Sequence, residues 1–262
     1  MRKLENKVVI VTGASSGIGA ATARLFAAEG ASLALASRAI HKLQALADSL
    51  GPRAIAIETD ITDPVQVQEM VRRCAERFGR IDMLINNAGV GMYGSIAKMP
   101  LAQLNQLVAT NWLGPVYAIQ AVVPCMQRQG GGQIINVSSV VGKVAMPWMT
   151  AYSSTKFALN ALSDGLRMEL KRDHIHVISV CPGRVRTPFP ENALKDPDSQ
   201  SFHPGGISPE RAARAILRAS LRGSKEIIVP ASNWGFVWLH ALFPRLLDWM
   251  MVRFLRQRMR KT

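Results

Sequence analysis

Apolar residues recur along this chain as short runs separated by stretches of helical periodicity. Val8-Val9-Ile10-Val11 is the first such run. A short apolar run bounded by turn residues reads as a buried strand, and apolar positions at i, i+3 and i+4 read as a helix face. Strands are therefore predicted at residues 7–11, 31–37, 54–57, 81–85, 133–137, 176–180 and 226–229. Helices are predicted at 20–29, 40–50, 64–78, 101–129, 152–172 and 208–221. Gly30, Gly51-Pro52 and Gly79 stop the first three helices, and Asp63-Pro64 reads as an N-cap with Pro at the first helical position. Pro115 and Pro124 are expected to kink or segment the 101–129 stretch. Strands alternating with helices imply right-handed βαβ units and a parallel sheet. The expected fold is α/β, a doubly wound parallel sheet of Rossmann-like type. It occupies a single domain over residues 1–230, followed by a helical extension over 231–262. Residues 184–207 are rich in Pro, Gly and Ser, and a loop of that length is expected to be a lid or a disordered segment.

The extension changes the picture. Trp234, Phe236, Trp238 and Leu239 precede Pro244. Leu246, Leu247, Trp249, Met250, Met251, Phe254 and Leu255 then recur at helical spacing, and Arg253, Arg256, Arg258, Arg260 and Lys261 crowd the end. A membrane-spanning helix needs ~20 apolar residues. Pro244, Arg245 and Asp248 interrupt this stretch, so no span is expected. Residues 232–262 could lie as an amphipathic segment in an anionic membrane interface. They could equally pack on a partner subunit or over the mouth of a site, or form a disordered basic tail.

Composition narrows the class. In 262 residues, 48% are hydrophobic and 19% charged, which are globular values. The net charge of +14 suits nucleic acid, an anionic membrane or acidic substrates. No dense Lys/Arg run with interleaved aromatics occurs in the body of the chain, so no nucleic-acid partner is expected. Cys74, Cys125 and Cys181 are scattered, without a C-x-x-C pattern or neighbouring His. No metal site is expected, and the cysteines read as buried thiols in a reducing compartment. Met1-Arg2-Lys3 before an apolar run imitates a signal peptide, but the run is short and enters Thr12-Gly13. The expectation is a cytoplasmic domain with no cleaved segment, its extension open to membrane association.

Candidate chemistry clusters at strand ends. Gly13, Ser15, Ser16, Gly17, Ile18 and Gly19 follow the first strand and open a helix. Glycines there let backbone N–H groups approach a diphosphate, and the helix N-terminus adds partial positive charge. Arg38 follows the second strand, where a carboxylate would bind a ribose 2′-hydroxyl and an arginine a 2′-phosphate. NADP(H) is therefore expected over NAD(H). Tyr152 and Lys156, at i and i+4, stack on one helix face. An ammonium beside a phenol would draw its pKa down from about 10 and make the pair a proton donor and acceptor.

With these residues in hand, the chain resembles the short-chain dehydrogenase/reductase family over about residues 5–230. The resemblance rests on Thr12-Gly13-x-x-x-Gly17-x-Gly19, Asp60, Asn86-Asn87-Ala88-Gly89, Asn111, Ser139, Tyr152-x-x-x-Lys156 and Pro182-Gly183 followed by Thr187. It implies that Tyr152 is the general acid in reduction and the base in oxidation. Lys156 would lower its pKa and hold the nicotinamide ribose. Ser139 would bond the carbonyl or alkoxide oxygen. Asn111 would hold a helix kink and a water leading to Lys156. Asp60 and Ile61 would contact adenine, Asn87, Ala88 and Gly89 the adenosine ribose, and Pro182, Gly183, Val185 and Thr187 the nicotinamide end. Ser16 departs from the basic residue carried by many NADP-preferring relatives. The activity so implied interconverts a hydrophobic ketone or aldehyde and its alcohol by hydride transfer, in a dimer or tetramer. Met92, Tyr93, Val140, Val144, Met146, Trp148, Met149, Phe189 and Phe202 are expected to face the substrate. A 3-oxoacyl (acyl-carrier-protein) type reductase and a non-catalytic dinucleotide sensor or scaffold are the alternatives.

Overall fold

The computed structural model describes residues 3–196 and 205–259, with side chains as far as Arg253. Phe202, Arg260, Lys261 and the side chains of Phe254, Leu255, Arg256 and Arg258 lie outside the described residues. In chain order the elements begin β1 (Val8–Thr12), α1 (Gly17–Ala28), β2 (Ser32–Ser37), α2 (Ile40–Leu50) and β3 (Ala54–Glu58). Next come α3 (Pro64–Phe78), β4 (Met83–Asn86), the short β5 (Met92–Tyr93) and α4 (Leu101–Val108). A π-turn (Ala109–Leu113) leads into α5 (Gly114–Arg128), β6 (Gly132–Val137), a 3-10 turn (Val140–Gly142) and α6 (Thr150–Glu169). The chain closes with β7 (Ile175–Pro182), β8 (Leu194–Lys195), α7 (Pro209–Arg222), β9 (Glu226–Val229), α8 (Asn233–Leu242) and α9 (Pro244–Met259).

Seven strands form one parallel sheet in the order β3-β2-β1-β4-β6-β7-β9. The period-two alternation of strand side chains explains its two helical layers. Val9, Val11, Leu33 and Leu35 point to one face and pack with Phe26 of α1, Leu43 of α2 and Ile216 of α7. Val8, Ile10, Ala34 and Ala36 point to the other and pack with Val67 and Met70 of α3 and Val122 of α5. Both faces are buried, so the strands are apolar throughout. On the first face α1 and α7 lie side by side. This is a single Rossmann-like domain. Strand order reverses between β1 and β4, which opens a crevice at their C-terminal ends, where open α/β sheets bind ligands.

Helix ends follow their caps. The Asp63 carboxylate accepts from Val65 N at 2.8 Å and Gln66 N at 3.3 Å, and Pro64 starts α3. The expectation for 101–129 holds in part. The stretch is divided at the π-turn, which Pro115 follows directly, whereas α5 continues through Pro124. The 184–207 stretch is only partly a loop. Leu194 and Lys195 pair in parallel with Met92 and Tyr93, and Val185 bridges to Ile207.

Candidate active site

A cleft of about 1010 Å³ runs along the C-terminal ends of β1, β4, β6 and β7. At one end it is walled by Ser15, Ser16, Gly17 and Ile18, with Arg38, Asp60 and Ile61 beyond them. Gly13 has φ +64° and Gly17 φ +54°. A Cβ on Gly19 would stand 2.3 Å from the Gly13 carbonyl oxygen, so only glycine lets the turn close on itself. The Asn87 amide clamps that turn, donating to the carbonyls of Thr12 at 2.9 Å and Gly13 at 3.2 Å. The Thr12 hydroxyl accepts from Asn87 N and Ala88 N, which locks the ends of β1 and β4 together. The first turn of α1 carries no acidic residue, and Ser16 caps none of its N–H groups. Unpaired first-turn N–H groups facing a crevice fit a diphosphate. The residues present therefore fit a dinucleotide. Arg38 stands at the adenine end with its guanidinium 4.0 Å from the Asp60 carboxylate.

The other end holds the predicted proton-transfer residues. Tyr152, Lys156 and Asn111 are buried on facing helices, and Ser139 ends the strand between them. Ser139 and Tyr152 are hydrogen-bonded through their side chains. The Ser139 hydroxyl also donates to the Pro182 carbonyl at 3.4 Å and accepts from Val141 N, so its orientation is fixed by the sheet. Lys156 Nζ donates to the Val137 carbonyl at 3.1 Å and lies 5.8 Å from the centre of the Tyr152 ring. Asn111 sits in the π-turn. Its amide clips Val90 from both sides, donating to the carbonyl at 2.9 Å and accepting from N at 2.8 Å, and donates to Thr155 at 3.3 Å. A π-turn points this side chain across to α6 instead of along its own helix.

The electrostatics differ from expectation. Burial raises the Tyr152 phenol above its ordinary value, Tyr93 nearby raises it further, and the Ser139 hydrogen bond works against both. Burial also pushes the Lys156 ammonium down to about 8. In the protein alone the pair is thus shifted toward two neutral groups, the reverse of a phenol depressed by lysine. Desolvation outweighs the lysine because Nζ is directed at a backbone carbonyl and not at the phenol.

Known proteins were then compared with the chain. The short chain dehydrogenase family profile matches residues 7–198. The chain is a short-chain dehydrogenase/reductase. It is similar to the uncharacterized oxidoreductase YxnA of Bacillus subtilis, at 34% identity over 96% of this chain and 73% of that protein. It is also similar to dehydrogenase/reductase SDR family member 7B of Danio rerio, at 33% identity over 93% of this chain and 84% of that one. A short-chain dehydrogenase/reductase from Burkholderia phymatum, solved in complex with NAD, superposes with TM-score 0.85 at 25% identity, covering 94% of this chain and 97% of the other. An alcohol dehydrogenase from Thermococcus sibiricus, solved with 5-hydroxy-NADP, gives TM-score 0.76 at 27% identity over 85% and 95%. This short-chain dehydrogenase/reductase is an NAD(P)-dependent oxidoreductase.

Its sequence motifs converge as expected, while its substrate wall does so only in part. Tyr93, Val140, Met146, Met149 and Phe189 line the cleft, and Phe189 meets the Tyr152 ring edge-on at 6.0 Å. Two expectations are corrected: Met92 and Val144 are fully buried core, packed beneath the wall. A third concerns Trp148, which is exposed and not part of the lining, because φ +62° turns it outward from the loop. Gln106, Thr110, Val141, Leu194, Asn233 and Phe236 line the cleft without having been singled out for it. Asn233 and Phe236 belong to α8. The Asn233 amide would stand 2.3 Å from a Cβ on Gly183, so the extension packs directly against the Gly183 wall of the cleft. The aromatic density of residues 232–243 was the available signal.

Proposed function

We propose that this oxidoreductase uses NADP(H) to interconvert an apolar ketone or aldehyde and the corresponding alcohol, with Tyr152 as proton donor and acceptor. The observation that carries this reading is the convergence of the Tyr152 and Ser139 hydroxyls in a cleft that Met146, Met149, Phe189 and Phe236 also line. When bound, the nicotinamide supplies or accepts the hydride. Gly13, Ser15, Ser16, Gly17, Ile18 and Gly19 hold the diphosphate, with Asp60, Ile61, Asn87, Ala88 and Gly89 along the adenosine. Pro182, Gly183 and Val185 would hold the other end, and Thr187, packed against Gly17, would reach from it toward the diphosphate.

The Ser139 hydroxyl is aimed at the substrate oxygen by its bonds to the sheet and the 3-10 turn. A fixed donor stabilises charge as it develops on that oxygen. Tyr152 Oη delivers the proton that turns the oxygen into a hydroxyl. Burial keeps the phenol protonated, the form in which Tyr152 donates. Lys156 Nζ, at about 8, carries a proton at neutral pH and puts a positive charge beside the phenol, 5.8 Å from its ring centre. Met146, Met149, Phe189 and Phe236 offer the carbon skeleton an adaptable apolar wall.

Two observations support NADP(H) over NAD(H): Arg38 lies at the adenine end of the cleft, and no carboxylate ends β2. Exposed apolar side chains on the α4–α5 and α6 surface, including Trp112, Phe157 and Met168, support a homo-oligomer. The test is NADPH oxidation with a panel of apolar ketones. Tyr152→Phe is expected to lower kcat/KM by about a thousandfold while dinucleotide binding is retained. Unchanged turnover in that variant would refute the assignment.

A further inference from the structure

Helix α8 carries two chemically distinct faces. Asn233 and Phe236 turn inward and line the cleft. Trp234, Trp238 and Leu242, spaced four apart, form a stripe on another face, with Trp238 59% and Leu242 64% exposed. The rings of Trp234 and Trp238 lie 6.4 Å apart along it. After Phe243, α9 continues the same theme. Leu246, Trp249 and Met250 are exposed, whereas Leu247 is buried. A surface helix ordinarily turns its polar side outward, and this pair turns tryptophan and leucine outward instead.

Charge identifies what fits that surface. Between residues 231 and 262 the only acidic residue is Asp248, against Arg245, Arg253, Arg256, Arg258, Arg260 and Lys261. The Arg253 guanidinium lies 5.5 Å over the Trp249 ring, so apolar and cationic groups share one face. Tryptophan flanked by arginine suits the boundary between lipid headgroups and acyl chains. The whole chain, at +14, is attracted to an anionic surface. Among the described residues no helix is long and apolar enough to cross a membrane, so contact is with one leaflet.

We propose that α8 and α9 dock flat on an anionic phospholipid bilayer, and that the cleft takes its apolar substrate from that leaflet at the inner face of α8. Docking stands on the surface alone, while delivery rests on the apolar-carbonyl reading above. The same short helix touches both lipid and cleft, so a carbonyl dissolved in the bilayer reaches Phe236 without crossing bulk water.

The full-length protein is mixed with vesicles of neutral phosphatidylcholine, with and without ~30 mol% phosphatidylglycerol, and sedimented. Binding about tenfold tighter to the anionic vesicles, with a blue shift of tryptophan emission, is expected. Trp238→Ser/Leu242→Ser/Trp249→Ser should abolish both. The same triple variant should reduce a water-soluble apolar ketone as fast as the parent and a vesicle-dissolved long-chain ketone far more slowly. Absent or charge-independent partitioning overturns docking. So does a loss of oligomer mass in the triple variant, because a second copy of the chain would then occupy the stripe. Equal turnover of the vesicle-dissolved ketone by parent and variant overturns delivery. Failure of every ketone, soluble or dissolved, refutes the proposed function and leaves the partitioning result intact.

Discussion

Lys156 shows what the site costs the fold. Its ammonium has an ordinary pKa of 10.5 and is held at about 8 by burial. Between those values the unfolded chain binds more protons than the folded one, so stability rises with pH across that window. The buried Tyr152 phenol, raised above 10, acts the opposite way only above that value. Cys74 and Cys181, which burial raises from 9.0 to about 12, also act the opposite way above pH 9, so melting temperature is expected to climb from about pH 8 to about 9. Lys156→Met should remove the climb, stabilise the protein at neutral pH by roughly 1–3 kcal/mol and abolish turnover. Thermal melts of both proteins across that range check it, and a flat parent curve would contradict the shift. Arg38 makes a separate prediction. Its guanidinium has only a 4.0 Å contact with Asp60 to hold it, which leaves it available to a 2′-phosphate. Arg38→Asp is expected to lower kcat/KM for NADPH by about a hundredfold and to raise it for NADH. A parent that prefers NADH would remove the basis for both changes.

The small sheet of β5 and β8 ties the segment after β4 to the segment beside Tyr152. Its clasp is Asp196, whose buried carboxylate accepts from Ser95 N at 2.6 Å. Gly94, at φ +140°, gives way to it, since a Cβ there would stand 2.5 Å from that carboxylate. Asp196→Ala should loosen the wall that carries Tyr93 and Phe189. The Michaelis constant for the ketone is expected to rise about tenfold with that for NADPH unchanged, as for a lost charged hydrogen bond. Equal changes in both constants would point to a global defect instead. Nothing in the sequence announced this pairing, because strands of two residues leave no periodicity to read. The seven long strands were legible because each is an apolar run bounded by turn residues, and so were the motifs at their ends. The kink at Asn111 was expected only from the family resemblance, since the π-turn residues keep helical periodicity through the extra hydrogen-bonded position. Phe236 was visible as part of an aromatic cluster, but its place over the cleft depends on how α8 folds back beyond β9.

Parallel order makes the molecule interlocked. Strand β9 pairs with β7, yet α7 just before it packs on α1, the helix that opens the diphosphate cradle. Ile18, in the first turn of α1, rests against Ile207, Ala212 and Ala215. The flank of α1 that faces α7 is covered only once α7 is in place. The consequence concerns the ribosome. The glycine turn is synthesised long before α7, and its support begins at Pro209. A nascent chain arrested before that point should hold an α1 that proteases cut readily, while release of the full chain should protect it. Protection already present in the arrested chain would mean that the cradle closes without α7. Long-range dependence of this kind slows folding and keeps an apolar helix face open during translation. The glycine turn and α1, made before the helix that supports them, are therefore this enzyme's best candidate client for a chaperone.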